Sequence, residues 1–353
     1  MSQILSKSME YIAVTLEGIE DIAQLEIKEI TSANAEVIAP GRLKFTTTKD
    51  KVNKLIYITR SLNRVYEFHS SSNYKTIEDI LNKLPKIKIL PPFKVKCHNV
   101  DSELKSTEVE RRIGEYYFKQ GNEVNLNEPK TIIIIELLND LCIIGIDLTK
   151  KELRKRDYRI KLHNQSPNSL IAYAMIRLSG WNKKQTLLDP FAKDGTIAIE
   201  AASYALNIPR GYYTENRIEG IKISKDKLNI HAFDSLLHNV RSCEVNAKLA
   251  DVNKIINFSR IDIDWLDVKF EENSVDCIIT SPPYASKDNE KDIEKIFKQF
   301  FHQVNFILKK KGTLVILTNR PDLIQKYATL KLKKEITLTI GDMFLKVLIY
   351  KNN

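Results

Sequence analysis

Cysteine is scarce in this chain, and its few residues lie far apart. The 353 residues contain only Cys97, Cys142, Cys243 and Cys277, and no two of them form a Cys-x-x-Cys pair. This spacing argues against a disulfide framework and against a structural zinc site. The six histidines are scattered too, so we expect no bound metal. The composition fits the reducing cytoplasm.

Long apolar runs are also missing. Residues 1–11 are polar and contain no apolar signal-peptide core. The most apolar stretch, residues 132–148, is interrupted by Glu136, Asn139, Asp140 and Asp147. These polar side chains exclude a membrane-spanning helix. The stretch instead predicts two strands joined by a turn at Asn139 and Asp140.

Positive charge is what the chain has in excess. The 55 Lys and Arg residues outnumber the 45 Asp and Glu residues, which gives a net charge of +10. Such a surplus favours a polyanionic partner, either a nucleic acid or an anionic membrane surface. Hydrophobic residues make up 43% of the chain, enough for packed cores, and its length predicts roughly two to three domains.

The apolar patterns divide the chain into an α+β part and an α/β part. Residues 1–72 and 73–150 each predict a small α+β unit, and residues 151–165 form a basic connector. From residue 166 onwards strands and helices alternate. This alternation predicts an α/β fold with a parallel sheet covered by helices on both faces. We expect a Rossmann-like, seven-stranded and mostly parallel sheet.

A strand that ends in an acid and runs into a glycine loop occupies residues 187–201, LLDPFAKDGTIAIEA. Such a loop lies at the carboxyl edge of the sheet, where doubly wound folds bind ligands. Its amides and the helix N-terminus can receive an anionic group, and Asp189 can pair with an ammonium group. An ordinary strand-to-helix turn would look similar. The predicted cofactor contacts of this segment are Asp189, Phe191, Lys193, Gly195 and Thr196.

Two further acids follow the next strands of the α/β pattern. Asp234 ends one strand, where a carboxylate can accept hydrogen bonds from ribose hydroxyl groups. Asp234 is equally suited to cap the helix that follows it. Asp262 follows the next strand and can accept a hydrogen bond from an adenine amine. Asp264 is an alternative for that role.

A Ser-Pro-Pro-Tyr segment lies within residues 278–286, IITSPPYAS. The exocyclic amine of a base is a weak nucleophile because its lone pair is delocalised into the ring, so its methylation needs acceptors that hold its hydrogens. The Ser281 hydroxyl and the Pro282 carbonyl can supply two acceptors, Pro282 and Pro283 stiffen the backbone, and Tyr284 can stack on an extruded base. We predict these four residues as the catalytic group; the alternative is a stiff surface loop.

The connector carries the predicted RNA contacts. Residues 150–161 hold seven basic and two acidic side chains. Basic side chains with an aromatic among them suit a phosphate backbone, although a solvated linker has the same composition. The predicted RNA-binding residues are Arg154, Lys155, Arg156, Tyr158 and Arg159.

With these motifs in order, the chain resembles the THUMP-containing tRNA guanine-N2 methyltransferases over most of its length. Residues 16–30 resemble the start of their ferredoxin-like N-terminal region, residues 132–159 the end of the THUMP domain and its connector, and residues 166–181 the helix before the catalytic core. The resemblance implies S-adenosyl-L-methionine as cofactor and a tRNA gripped at its acceptor end. It assigns Asp189 and Gly195 to the methionine part, Asp234 to the ribose, Asp262 to the adenine and residues 281–284 to the base.

Two positions depart from that family pattern. The family loop reads Cys-Gly-Ser-Gly after Asp-Pro-Phe, whereas Lys193 here replaces a glycine at which the backbone approaches the cofactor closely. Its side chain either obstructs the cofactor or binds its carboxylate. Ser281 replaces an Asn or Asp, as in enzymes that methylate cytosine N4. Two alternatives therefore remain: an amino-methyltransferase for cytosine N4 or adenine N6, and a non-catalytic tRNA-binding protein. We expect a cytoplasmic monomer that binds tRNA, with no membrane or metal involved.

Overall fold

The computed structural model describes residues 7–212, 217–341 and 343–353, so part of the polar N-terminal segment lies outside the described residues. The chain forms two compact units. The first contains the residues up to Thr15, Ala23–Ile56 and Leu62–Leu153. The second contains Leu16–Ile22, Tyr57–Ser61 and Arg154–Asn353. The sequence patterns did not predict that two short N-terminal segments belong to the second unit.

The first unit is built on one seven-stranded sheet. Its strands are β1 (Ser8–Val14), β2 (Ala35–Ala39), β3 (Arg42–Thr48), β4 (Arg64–Asn73), β5 (Phe93–Asn99), β6 (Thr131–Leu138) and β7 (Leu141–Asp147). The helices of this part of the chain are α1 (Glu20–Thr31), α2 (Lys49–Ile58), α3 (Ile77–Asn82) and α4 (Ser106–Phe118). The strand order is β2-β3-β1-β4-β7-β6-β5. Because β4 pairs antiparallel with β7, the two predicted α+β units share a single sheet.

The predicted hairpin in the apolar stretch is confirmed. Strands β6 and β7 pair antiparallel, and Asn139 in the turn has a φ of 49°, a left-handed conformation that Asn tolerates. Glu136 on β6 is buried, yet its carboxylate accepts hydrogen bonds from Arg42 Nε at 2.5 Å and from the Tyr66 hydroxyl at 3.0 Å. Glu136, one of the polar residues that argued against a membrane-spanning helix, therefore has its charge paired with Arg42 inside the sheet.

The second unit contains the predicted seven-stranded, mostly parallel sheet, which is confirmed. Its strands are β8 (Leu187–Asp189), β9 (Ile230–Asp234), β10 (Ile256–Arg260), β11 (Val275–Thr280), β12 (Leu308–Thr318), β13 (Lys331–Ile340) and β14 (Met343–Lys351). Its helices are α5 (Ser169–Ser179), α6 (Thr196–Ala205), α7 (Leu237–Leu249), α8 (Leu266–Lys269), α9 (Glu290–Ile307) and α10 (Pro321–Tyr327), with a 3₁₀ turn at Ile263–Trp265. Strand β13, which no sequence pattern predicted, pairs antiparallel with β14.

Local sequence explains where helix α5 begins and ends. The Asn168 side chain accepts hydrogen bonds from the amides of Leu170 and Ile171, and Gly180 ends the helix with a φ of 69°. Nearly the whole helix is buried in the apolar cluster around β8 and α6, as its apolar sequence requires. Within the described residues, no helix combines the length and the apolar character needed to cross a bilayer.

The strand order brings the candidate functional residues together. The sheet runs β10-β9-β8-β11-β12-β14-β13, and the first five strands in that order are parallel. From β8 the chain moves outwards to β9 and β10, and then returns to β11 on the opposite side. Such a reversal leaves a crevice at the carboxyl ends of the strands. Asp189, Asp234 and Thr280 end the three strands that border it.

Candidate active site

A cavity of about 650 Å³ lies at this carboxyl edge, within the size range of small-molecule sites. Phe191 and Lys193 from the loop after β8, Asp234 from β9, Asp262 after β10 and Pro283 after β11 all line it. Further wall residues include His163, Gln165, Leu236, Asn239, Ile263, Trp265 and Gln299. The tertiary structure thus brings together one or more residues from each motif of the α/β part.

Asp189, which ends β8, is buried and does not itself line the cavity, and its carboxylate is only partly satisfied. Its Oδ1 accepts hydrogen bonds from the Thr280 hydroxyl at 2.7 Å and from the Phe191 amide at 3.3 Å. Its Oδ2 has no hydrogen-bond partner among the described residues. Burial raises the pKa of Asp189 to about 7. A buried carboxylate oxygen without a donor suits a cationic ligand group such as an ammonium.

Asp234 joins the loop after β8 to the start of α7. Its Oδ2 accepts a hydrogen bond from the Lys193 amide at 3.0 Å. Its Oδ1 accepts hydrogen bonds from the Leu236 amide and from Asn239 Nδ2, both at 3.0 Å. The Asp234 carboxylate therefore holds the backbone just before α7, whose N-cap residue is Leu236, and it lines the cavity. Its contact with a ribose stays a prediction.

Gly195 and Thr196 shape the loop but do not line the cavity wall formed by the described residues. Gly195 has a φ of 81°, a left-handed conformation that favours glycine, and a Cβ there would lie 3.1 Å from Cys243 Cβ on α7, a tight contact. The Thr196 amide and hydroxyl both donate to Asp194 Oδ1, at 3.2 and 2.7 Å. Asp194 therefore occupies the helix N-terminus that was expected to bind an anion, and the cofactor contacts of Gly195 and Thr196 stay predictions.

The Lys193 side chain turns towards the Ser-Pro-Pro-Tyr segment. Its Nζ donates hydrogen bonds to the Gln165 carbonyl at 2.9 Å, to Ser281 Oγ at 3.3 Å and to the Pro282 carbonyl at 3.2 Å. It also lies 5.1 Å from the centre of the Tyr284 ring. Only 4% of Lys193 is exposed, and burial lowers its pKa to about 8. The side chain leaves the cavity open.

Two residues that lie outside the predicted motifs, Gln165 and Asn319, hold the Ser-Pro-Pro-Tyr turn in place through hydrogen bonds. Gln165 Oε1 accepts a hydrogen bond from the Tyr284 amide at 3.1 Å. Asn319, just after β12, accepts from the Ala285 amide at 3.2 Å and donates to the Ala285 carbonyl at 2.8 Å. Sequence reasoning missed both residues because their partners lie 119 and 34 positions away. Ser281 and Pro282 are buried, whereas Pro283 reaches the cavity.

The structure separates the two acids that compete for the same role after β10. Both Asp262 and Asp264 line the cavity. The Asp264 carboxylate, however, accepts a hydrogen bond from Gln299 Nε2 at 2.5 Å, and its backbone carbonyl accepts one from Gln303. Asp262 is exposed in the cavity wall. The geometry therefore favours Asp262 as the acceptor for a ligand.

Three of the five predicted RNA contacts in the connector point into the second unit. Arg156 Nε lies 2.8 Å from Glu200 Oε1, and the Tyr158 hydroxyl lies 3.0 Å from the same oxygen. Arg159 Nη2 lies 2.8 Å from Asp194 Oδ2. The predicted RNA contacts of Arg156, Tyr158 and Arg159 are therefore corrected: these side chains satisfy buried carboxylates. Arg154 is half-buried and Lys155 exposed, and their RNA contact stays a prediction.

Glu200 is the partner that the sequence analysis missed. It is fully buried on α6 and also binds Arg60 Nη1, 2.9 Å from its Oε2. A signal was present, because Glu200 is the one charged residue in the helix sequence TIAIEAASYA. A carboxylate on an otherwise apolar, buried helix must find cationic partners.

Comparison with known proteins agrees with this architecture. The family model described as RMKL-like, methyltransferase domain matches residues 156–345, and the THUMP domain model matches residues 71–147. These matches confirm the predicted order of a THUMP domain followed by a methyltransferase domain.

Two archaeal relatives match along most of the chain. A tRNA (guanine(6)-N2)-methyltransferase of Methanocaldococcus jannaschii is 28% identical over 383 residues, covering 96% of this chain and 99% of that protein. A protein of the same name from Archaeoglobus fulgidus is 25% identical over 330 residues, covering 88% and 83%. Among solved structures, SMU.472 in complex with SAH superposes with a TM-score of 0.80 at 22% identity and covers 99% of both chains.

Proposed function

Because the chain belongs to the family of RMKL-like methyltransferase domains, we propose that it transfers a methyl group from S-adenosyl-L-methionine to the exocyclic N2 amine of a guanosine in tRNA. One observation carries the choice of an amine as acceptor. Ser281 Oγ and the Pro282 carbonyl converge on a single nitrogen, Lys193 Nζ, at 3.3 and 3.2 Å. Two oxygens that hold one amine nitrogen beside the cavity can hold the amine of a base in the same way.

The residues at the cavity fit the cofactor of this reaction. When bound, S-adenosyl-L-methionine supplies a methyl group on a positively charged sulfur. In this proposal the unpartnered Oδ2 of Asp189 holds the ammonium of the methionine part. Asp234 binds the ribose and Asp262 the adenine amine, and the half-buried ring of Phe191 supplies apolar wall. The loop amides take no part, since the Lys193 and Thr196 amides already donate to Asp234 and Asp194.

The Ser-Pro-Pro-Tyr turn orients the acceptor amine. The Ser281 hydroxyl and the Pro282 carbonyl accept its hydrogens, which concentrates the lone pair of the nitrogen on the side that faces the cavity. Tyr284 stacks on the extruded base. A strong base is unnecessary at the outset, because the nitrogen releases its proton to water only after the methyl transfer has made it cationic. The rigidity of the turn comes from Pro282, Pro283 and the hydrogen bonds of Gln165 and Asn319.

The substrate class rests on the relatives and on the domain order. Both archaeal relatives are named for the N2 position of guanine 6 in tRNA, and the THUMP match precedes the methyltransferase match. The net charge of +10 supports a polyanionic substrate. We place the reaction in the cytoplasm, at a guanosine of the acceptor stem.

The test is methyl transfer with the purified protein. We expect methyl-labelled S-adenosyl-L-methionine to label tRNA, and a nucleoside digest to contain N2-methylguanosine. N4-methylcytidine or N6-methyladenosine in the digest would identify another base. Tight tRNA binding without any methyl incorporation would instead favour a non-catalytic tRNA-binding protein. Asp189→Asn is the low-activity control, because its neutral amide attracts an ammonium group less strongly than a carboxylate does.

A further inference from the structure

The Lys193 ammonium occupies the acceptors that a target amine would need. It bonds to Ser281 Oγ and to the Pro282 carbonyl, and its third bond is to the Gln165 carbonyl. All three partners are neutral oxygens. An ammonium held by neutral acceptors is bound less strongly than a charge in a buried ion pair, such as Arg156 with Glu200. This group can therefore be exchanged for another donor of the same kind.

The backbone at Lys193 supports a functional explanation. Its φ of 54° lies in the left-handed region, which is unfavourable for a residue with a Cβ. The side chain is also nearly fully buried, which is costly for an ammonium group. Glycine would avoid both costs at this position. Strain combined with a buried charge at a ligand-binding edge points to a role for the side chain itself.

We propose that Lys193 is a displaceable occupant of the target-amine site, so that the base amine bonds to Ser281 and Pro282 only after the Lys193 ammonium has left them. This inference rests on the proposed function. The ammonium satisfies the two acceptors while no base is present, and it competes with every incoming base. Lys193 thereby sets how readily the site accepts a base, and it takes no part in the transfer of the methyl group.

The competition depends on pH in a defined direction. Burial lowers the pKa of Lys193 to about 8, although nearby carboxylates favour its charged form. The charged, titratable or aromatic groups that face it or share its cavity are Asp189, Asp194, Asp234, Asp262, Asp264, Asp292, His163, Lys295, Tyr284, Phe191 and Trp265. Below pH 8 the charged group donates strong hydrogen bonds, and above it the neutral amine donates weaker ones. The competition therefore declines as the pH rises through about 8.

The experiment compares Lys193→Gly with Lys311→Gly. Lys311 also has a left-handed backbone, with a φ of 62°, and it is exposed on β12. Both substitutions relieve the same kind of backbone strain, but only Lys193→Gly removes the ammonium that bonds to Ser281 and Pro282. We expect Lys193→Gly to lower the KM for tRNA roughly three- to tenfold, about what one net hydrogen bond is worth. We expect the wild-type and Lys311→Gly proteins to show a KM that falls between pH 7 and 9, and Lys193→Gly to lack this change.

A second measurement separates this inference from the proposed function. The dissociation constant for tRNA is measured with S-adenosylhomocysteine present, at pH 7 and pH 9, and should follow the same pattern as the KM. If Lys193→Gly does not fold, Lys193→Met retains the stem without the donors and should behave alike. The inference is overturned if Lys193→Gly matches Lys311→Gly in KM, dissociation constant and pH profile, or if it loses kcat at unchanged KM. Absence of methylation in all variants would refute the proposed function, while the binding data would still decide whether Lys193 competes.

Discussion

The Arg156 guanidinium and the Glu200 carboxylate form a buried ion pair, with Nε 2.8 Å from Oε1 and less than 10% of either residue exposed. Arg60 binds the other carboxylate oxygen at 2.9 Å. Burial alone would raise the pKa of Glu200, but Arg156 and Arg60 outweigh it and hold this pKa below its ordinary value. This ion pair therefore joins the connector before α5 to helix α6 within the second unit.

Removing the carboxylate of this cluster should destabilise the fold. We expect Glu200→Gln to lower the free energy of unfolding by about 3–5 kcal/mol, because two buried guanidinium groups lose their counter-charge. Chemical denaturation at pH 7 measures the loss. Glu294→Gln is the control, since its pair with Lys326 is solvent-accessible and should contribute less than about 1 kcal/mol. Equal effects of the two substitutions would contradict the structural role of Glu200.

The stability contributed by Glu200 should also depend on pH. Its pKa is lower in the folded protein than its ordinary value of 4.5. The contribution is therefore complete above pH 4.5 and is lost as the pH falls through the folded pKa. Unfolding curves between pH 7 and pH 3 should show a smaller decline for Glu200→Gln than for the wild type. A parallel decline in both proteins would rule out this linkage.

Cofactor affinity should weaken in mild acid. Asp189 has a pKa of about 7, so it is mostly protonated at pH 6 and then has no negative charge with which to attract an ammonium group. We expect calorimetry to show S-adenosyl-L-methionine binding roughly five- to tenfold more weakly at pH 6 than at pH 7.5. Asp189→Asn should bind weakly at both pH values. Asp264→Asn is the control and should show the same pH dependence of cofactor binding as the wild type. If the wild-type protein bound S-adenosyl-L-methionine equally well at both pH values, the role of Asp189 would be wrong.

Tyr284 should contribute to turnover more than to tRNA affinity. We expect Tyr284→Ala to reduce kcat by an amount equivalent to about 1–3 kcal/mol, the usual value of one base–aromatic stack. The dissociation constant for tRNA should change little, because contacts elsewhere hold the tRNA. Tyr284→Phe retains the ring and should retain turnover. Steady-state kinetics and filter binding measure the two quantities, and equal losses in both would contradict the stacking role.

Lys155 and Arg156 should behave differently although they are neighbours. Lys155 is exposed, so Lys155→Ala should weaken tRNA binding and reduce the slope of binding against salt by about one. Arg156 is bound to Glu200, so Arg156→Ala should lower the melting temperature. Binding at several salt concentrations and thermal unfolding test the pair. An unchanged salt slope for Lys155→Ala would make the connector a linker only.

Several features of both units were predictable from local patterns. The turn at Asn139, the helix capped by Asn168 and the acids that end β8 and β9 all follow from short-range sequence. Parallel strands connected by helices must align their carboxyl ends, so Asp189 and Asp234 meet at one edge. Strand β13 was not predictable, because its lysines obscure the alternation of buried residues.

The sequence by itself determined the order of the elements, the position of each motif and the edge of the sheet at which the motifs meet. Only the tertiary structure decided which way the long charged side chains turn. Arg156 looked like a phosphate contact and binds Glu200, and Lys193 looked like a cofactor contact and binds Ser281 and Pro282. The physical reason is the sequence separation of the interacting residues. Backbone periodicity depends on neighbouring residues, whereas a buried charge is paired by residues from whichever distant segments fold around it.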